Sequence, residues 1–217
     1  MTKKITVRTL LIAVVAAFGF AASSSAQSAG VSHPAPASDV GQGLLGQSYV
    51  GLAYGYTDLH STPVSNLQGL NFQYNQPLNT GFDLNVGMSD SWSSQFWGTR
   101  ARQTTVDAST IAFLPDLTWG RPFIGVGAGW TWTKMSGNRD NSFLYTIDTG
   151  VEFQVTKALS ITPVVSFTDT TSFHTDNKWA YGVKANYWIN SQWGLTTGVM
   201  RNNTVNTTYS VGTTLRF

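Results

Sequence analysis

The chain ends on TTYSVGTTLRF (residues 207–217). Side chains of an extended strand alternate between two faces. That alternation puts Tyr209, Val211, Leu215 and Phe217 on one face and Ser210, Gly212, Thr214 and Arg216 on the other. Chain termini ordinarily fray unless they are tied down. A two-faced strand at the extreme end therefore has to pair with another strand, and the rest of the sequence shows which.

From Gln47 onward the same pattern returns in segments of about ten residues, each followed by turn residues. Val50, Leu52, Tyr54 and Tyr56 alternate with Gly51, Ala53, Gly55 and Thr57. Ile124, Val126, Ala128, Trp130 and Trp132 alternate with Gly125, Gly127, Gly129 and Thr131. One segment, TTVDASTIAFLP (104–115), blurs. With Asp107 facing inward, Ile111 and Phe113 also point inward, or a bulge shifts the register. Counting this segment, the chain carries ten strands. Eight stay open if two of the segments form one element or a loop.

The connections alternate in character. NQPLNTG, PDLTWGRP, VTKAL and INSQW are compact, whereas DLHSTPVSN, SDSWSSQFWGTRAR, KMSGNRDNS and TDTTSFHTDNK are longer and polar. Short turns at one end and longer loops at the other, with an even strand count, describe an all-β, transmembrane, antiparallel up-and-down β-barrel. The final strand then closes on the first, because unpaired backbone groups in hydrocarbon are costly.

Composition agrees. Only 11% of residues are charged, while 41% are hydrophobic and 13% aromatic, and mean hydropathy is close to zero. An apolar outside around a polar inside gives this mixture. The start, MTKK and Arg8 followed by TLLIAVVAAFGFAA and SSSAQ, reads as a signal peptide over residues 1–26, too short to span a bilayer comfortably. Its removal takes Lys3, Lys4 and Arg8, leaving 10 basic against 11 acidic residues, a net charge of −1. That excludes a nucleic-acid partner. Residues 27–46, QSAGVSHPAPASDVGQGLLG, read as a flexible periplasmic leader, and residues 47–217 as the barrel. With no cysteine, the chain has neither disulfides nor a thiolate metal site or thiol nucleophile.

The terminal strand, with the signal peptide and the alternation over residues 47–217, resembles the small bacterial outer-membrane β-barrel families, porin-like proteins among them. Tyr209, Val211, Leu215 and Phe217 stand where those families carry their assembly signal. Leu215 departs from the aromatic often found there. The resemblance implies residence in the outer membrane, contact with its lipid, delivery by periplasmic chaperones and insertion by the barrel-assembly machinery.

The inward positions carry Asp83, Asp107, Asp148 and Glu152 against Lys184 and Arg216, a net of −2. Small residues dominate the inner face of strands eight, nine, ten and one. Small barrels are usually filled by side chains, with Lys184 and Arg216 expected against the acids. The expected function is structural or narrow-pore and weakly cation-selective. A surface adhesion or recognition barrel acting through its loops is the alternative, and an outer-membrane hydrolase is third. In SWSSQFWGTRAR (91–102), Trp92, Phe96, Trp97, Arg100 and Arg102 form either an aromatic girdle with arginines at lipid phosphates or a partner surface.

The hydrolase reading would draw on His60 or His174 with Ser61, Asp58, Ser172 or Asp176. Neighbouring residues in polar loops do not make a triad, so the chain is read as no enzyme, with no cofactor. GVGAG (125–129) continues a strand instead of opening a helix, so it is not a phosphate loop.

Overall fold

The computed structural model describes residues 43–60, 65–93, 101–114, 117, 119–135, 138–171, 178–203 and 206–217. Ten strands follow one another: β1 Tyr49–Asp58, β2 Asn66–Asn79, β3 Phe82–Ser93, β4 Arg102–Phe113, β5 Arg121–Met135, β6 Asn138–Gln154, β7 Leu159–Thr170, β8 Trp179–Trp188, β9 Trp193–Asn202 and β10 Thr207–Arg216. Each pairs antiparallel with its sequence neighbours, and β1 pairs with β10 to close the barrel. The eight-strand alternative is thereby removed.

The seam runs over ten residue pairs, from Tyr49 opposite Arg216 to Asp58 opposite Thr207. Past the last strand, the Phe217 N–H still donates to the Ser48 carbonyl at 3.2 Å. The Phe217 ring stacks on Tyr74 with centroids 6.2 Å apart. The last residue is thus held by backbone pairing and a ring contact on the outer wall.

The start of β1 and the end of β10 lie at the same end as the β2–β3, β4–β5, β6–β7 and β8–β9 connections, the terminal end; the opposite one is the loop end. The β2–β3 turn closes through Gly81, whose φ of 103° suits glycine. The register of β2 against β3 shifts between Pro77 and Asn79, as expected where a proline cannot donate to a ladder.

β4 settles the blurred segment. Its register is unbroken against both β3 and β5, so there is no bulge, and Ile111 and Phe113 point inward, with Ile111 fully buried. The segment blurs because an apolar layer crosses the lumen here: Leu45, Ile111, Phe113, Phe123, Val164, Ala180 and Met200 pack together.

The expected long connection KMSGNRDNS is mostly strand. β5 runs to Met135, β6 starts at Asn138, and Lys134 pairs with Arg139. Strands there continue above the apolar band, where both faces are polar. Hydrogen bonding persists while the hydrophobic period disappears.

Candidate functional site

The outer wall is built first. Leu52, Leu70, Phe72, Val86, Met88, Ile124, Val126, Ile147, Val183 and Val211 are exposed large apolar residues, all on the outward phase of their strands. In water this would be a severe liability; in a bilayer it is the band that lipid covers. Outward threonines on the wall satisfy themselves locally. Thr149, Thr197 and Thr213 donate to the carbonyls of Phe123, Ser210 and Gly194 at 3.0 Å each, so no free hydroxyl faces hydrocarbon at these positions.

Aromatic residues border the band at both ends. Trp130, Phe143, Tyr145, Phe167 and Trp179 lie toward the loop end, with Phe167 and Trp179 centroids 5.0 Å apart. Tyr74, Trp119, Phe153 and Phe217 lie toward the terminal end. Such rings suit membrane interfaces.

Inside, the structure places all six charged residues read from the sequence in the lumen. Asp83, Asp107, Asp148 and Glu152 are each at most 3% exposed. Asp107 sits in register between Gly87 on β3 and Gly129 on β5. A Cβ at either glycine would come within 2.8 Å of an Asp107 side-chain atom, so the two glycines make the space that the carboxylate fills. Asp148 lies between Gly125 and Ser166 and accepts from the Ser166 hydroxyl. Asp83 accepts from Asn75 Nδ2 at 2.9 Å, and Asn75 Oδ1 accepts from Asn85 at 3.2 Å.

The two expected bases sit near lumen acids: Lys184, between Thr162 and Gly198, interacts electrostatically with Asp148, and Arg216 with Glu152. The Arg216 guanidinium lies 4.0 Å over the Trp188 ring, a cation–π contact. A further base, Arg121, forms an ion pair with Glu152 in the lumen. Arg121 was missed because the sequence shows it inside PDLTWGRP, a turn, whereas the structure makes it the first residue of β5.

The leader holds the second surprise. Gly43, Leu44 and Leu45 are buried in the barrel, Leu45 completely. The Leu44 N–H donates to Glu152 Oε1 at 2.7 Å, and the Leu45 N–H lies 3.4 Å from both carboxylate oxygens. Arg121 donates to the Leu45 carbonyl. Leu44 packs with Tyr49 and Trp188. Burying a leucine contributes about 1.5–3 kcal/mol, so this short stretch is well held. The sequence hint was GLLG, two leucines in an otherwise small and polar leader.

Above this layer is a cavity of about 80 Å³. Gly51, Gly55, Gly69 and Gly198 form much of its wall, with Asn71, Ser89, Lys184 and Leu44 also facing it. Asn71 Nδ2 and Ser89 Oγ are buried without a protein partner. Buried polar groups are ordinarily satisfied, so this is a space suited to water or a small solute.

At the loop end, Trp92 and Arg102 are cross-strand partners on β3 and β4, not loop residues. Arg102 forms a two-pronged bond to Asp90 at 2.8 and 2.7 Å, and Thr104 donates to the same carboxylate at 2.9 Å. The guanidinium expected at lipid phosphate is thus bound to a carboxylate of its own barrel. Phe96, Trp97 and Arg100 lie outside the described residues. His60 is exposed, 3.7 Å from Asp58, and its backbone N–H donates to Asn206 Oδ1 at 3.2 Å. His174, Ser61, Ser172 and Asp176 also lie outside the described residues, as do residues 1–42 with the expected signal peptide.

Fold and surface together define a transmembrane antiparallel β-barrel of ten strands. No protein-family model matches the chain, and no curated protein matches it. Among solved structures it is similar to the KdgM porin in complex with disordered oligogalacturonate, at 15% identity and a TM-score of 0.42, covering 78% of this chain and 99% of that one. It is also similar to Neisserial surface protein A, at 12% identity and a TM-score of 0.43, covering 78% and 97%. A third is the translocator domain of the autotransporter NalP from Neisseria meningitidis, at 8% identity and a TM-score of 0.48, covering 79% and 89%.

Proposed function

We propose that the protein is a bacterial outer-membrane barrel that acts as a narrow, weakly cation-selective pore. The observation that carries this reading is the cavity of about 80 Å³ inside the lumen, lined by glycines, Asn71, Ser89 and Lys184. Its scale suits water and small ions, not the diffusion of large solutes. The sign follows from the lumen charges. Among the described residues, Asp83, Asp107, Asp148 and Glu152 share the lumen with Arg121, Lys184 and Arg216, four acids against three bases. Arg121 lowers the excess to −1 from the −2 read in the sequence, so the cation preference is weak. The terminal strand supports delivery by periplasmic chaperones and insertion by the barrel-assembly machinery, with Phe217 as the last residue of that signal.

Reversal potentials across a planar bilayer under a salt gradient test this. The expected result is small conductance steps with a modest preference for cations. Anion selectivity, or steps as large as those of an open diffusion porin, would overturn it.

A further inference from the structure

We propose that residues 43–47 are a built-in stopper. In this inference the segment enters the barrel from the terminal end, Arg121 and Glu152 bind its backbone, and it closes the cavity on that side. The inference deepens the narrow-pore reading, and rests on it only for its electrical consequence.

The argument starts from what the ion pair does. A carboxylate accepts several hydrogen bonds and a guanidinium donates several. Paired with each other, Arg121 and Glu152 keep spare capacity, and the segment uses it. Glu152 accepts from Leu44 and reaches Leu45, two consecutive N–H groups. Arg121 donates to the carbonyl between those residues and the next turn, that of Leu45. The pair therefore reads both donors and acceptors of a turning backbone, whatever its side chains. With the segment in place, the Glu152 side chain is 0% exposed and that of Arg121 17%.

The side chains add selectivity. A Cβ at position 43 would collide with the Glu152 carboxylate, so the residue facing it has to be glycine. Leu45 joins the apolar layer across the lumen, and Leu44 lines the cavity itself. Gly46, with φ of 98°, turns the chain from the lumen toward β1, a conformation that favours glycine. Asn75 Nδ2 then bonds the Gln47 carbonyl at 3.0 Å. Gly-Leu-Leu-Gly thus meets four separate demands of one binding site. The β1–β10 register starts at Tyr49, outside these residues. Their place is that of a ligand carried on the same chain.

The chain has no cysteine, so a single Ser89→Cys reports on the cavity. The test reconstitutes this protein in vesicles with the terminal end facing out, and adds a small water-soluble cationic methanethiosulfonate reagent. Three forms are compared: the full mature chain, one lacking residues 27–46, and one carrying Leu44→Ser with Leu45→Ser. Heat-modifiable migration confirms that each barrel is folded, and the serine variant carries the test if the deletion fails to fold. A segment seated more than nine-tenths of the time predicts a labelling rate at least about tenfold faster once it is removed or unseated. Equal rates in the folded forms would overturn the stopper. Faster labelling without ionic current would leave the stopper standing and defeat the pore. Current in the full chain with unchanged labelling would do the reverse.

Discussion

Two walls of this barrel are rich in inward glycine, and they serve opposite purposes. On β5, a Cβ at Gly127 would approach Ser109 Cβ at 2.8 Å and Thr146 Cγ2 at 2.9 Å, and one at Gly129 would approach Asp107 Cβ at 2.8 Å. These glycines are occupied space, filled by side chains from β4 and β6. On β1, a Cβ at Gly55 would meet nothing nearer than Tyr209 O at 3.9 Å, and one at Gly51 nothing nearer than 3.6 Å. These border the cavity. The same residue at the same phase of a strand packs one side of the lumen and leaves the other open. What decides is the residue that the register places opposite.

The largest effect should come from crossing the wall altogether. Val126 lies between Gly125 and Gly127 in sequence but faces outward, 56% exposed. Val126→Arg should cost about 2–4 kcal/mol in a bilayer. Asn141→Arg, outward at the loop end, should cost far less. Unfolding titrations in lipid vesicles compare the two. Equal costs would mean that the apolar band has been misplaced along β5.

Within the lumen, Gly129→Val should destabilise by about 1–3 kcal/mol, because the added carbons meet the Asp107 side chain and the β4 backbone. Asp107 has no room to withdraw, since Gly87 closes its other side in the same way. The same titration measures it. A neutral result would show that the β5 glycines are not filled space, and the contrast between the walls would vanish.

The seam predicts an effect on assembly more than on final stability. Phe217→Asp removes the ring from Tyr74 and puts a second charge beside the carboxyl terminus. Heat-modifiable, membrane-inserted protein should fall well below wild type in cells, while protein refolded from denaturant into detergent stays close to it. A matching loss in both settings would make Phe217 a stability residue instead of a recognition one.

These contrasts also mark what the sequence could and could not show. Alternation placed Asp83, Asp107, Asp148, Glu152, Lys184 and Arg216 inward from local order alone, because the phase of a strand is set by its own neighbours. Register is not local. That Asp107 fits between Gly87 and Gly129, or that Glu152 takes Arg121, depends on residues tens of positions away. Arg121 was hidden because its strand starts inside a turn-like PDLTWGRP, and Ile111 and Phe113 blurred the pattern because an apolar layer inside a barrel reads like its outside. The buried GLLG was hidden for a third reason: small, polar surroundings announce a linker, and four residues have no period to detect.

The smallest expected effect on stability is the one most informative about function. Gly55→Val adds three carbons on the open wall, where a Cβ has room. Valine also favours strands more than glycine does. Stability should therefore stay within about 0.5 kcal/mol of wild type or rise slightly. The added bulk enters the cavity that Gly55 shares with Lys184 and Ser89, so the unitary current should fall. The paired substitution Gly129→Val, at a site already filled, should do the opposite: lose stability without a matching change in current through whatever barrel remains folded. Single-channel recordings on the two variants measure that exchange. If Gly55→Val leaves the current untouched, ions do not pass along the glycine wall of β1, and the cavity is a packing defect instead of a path.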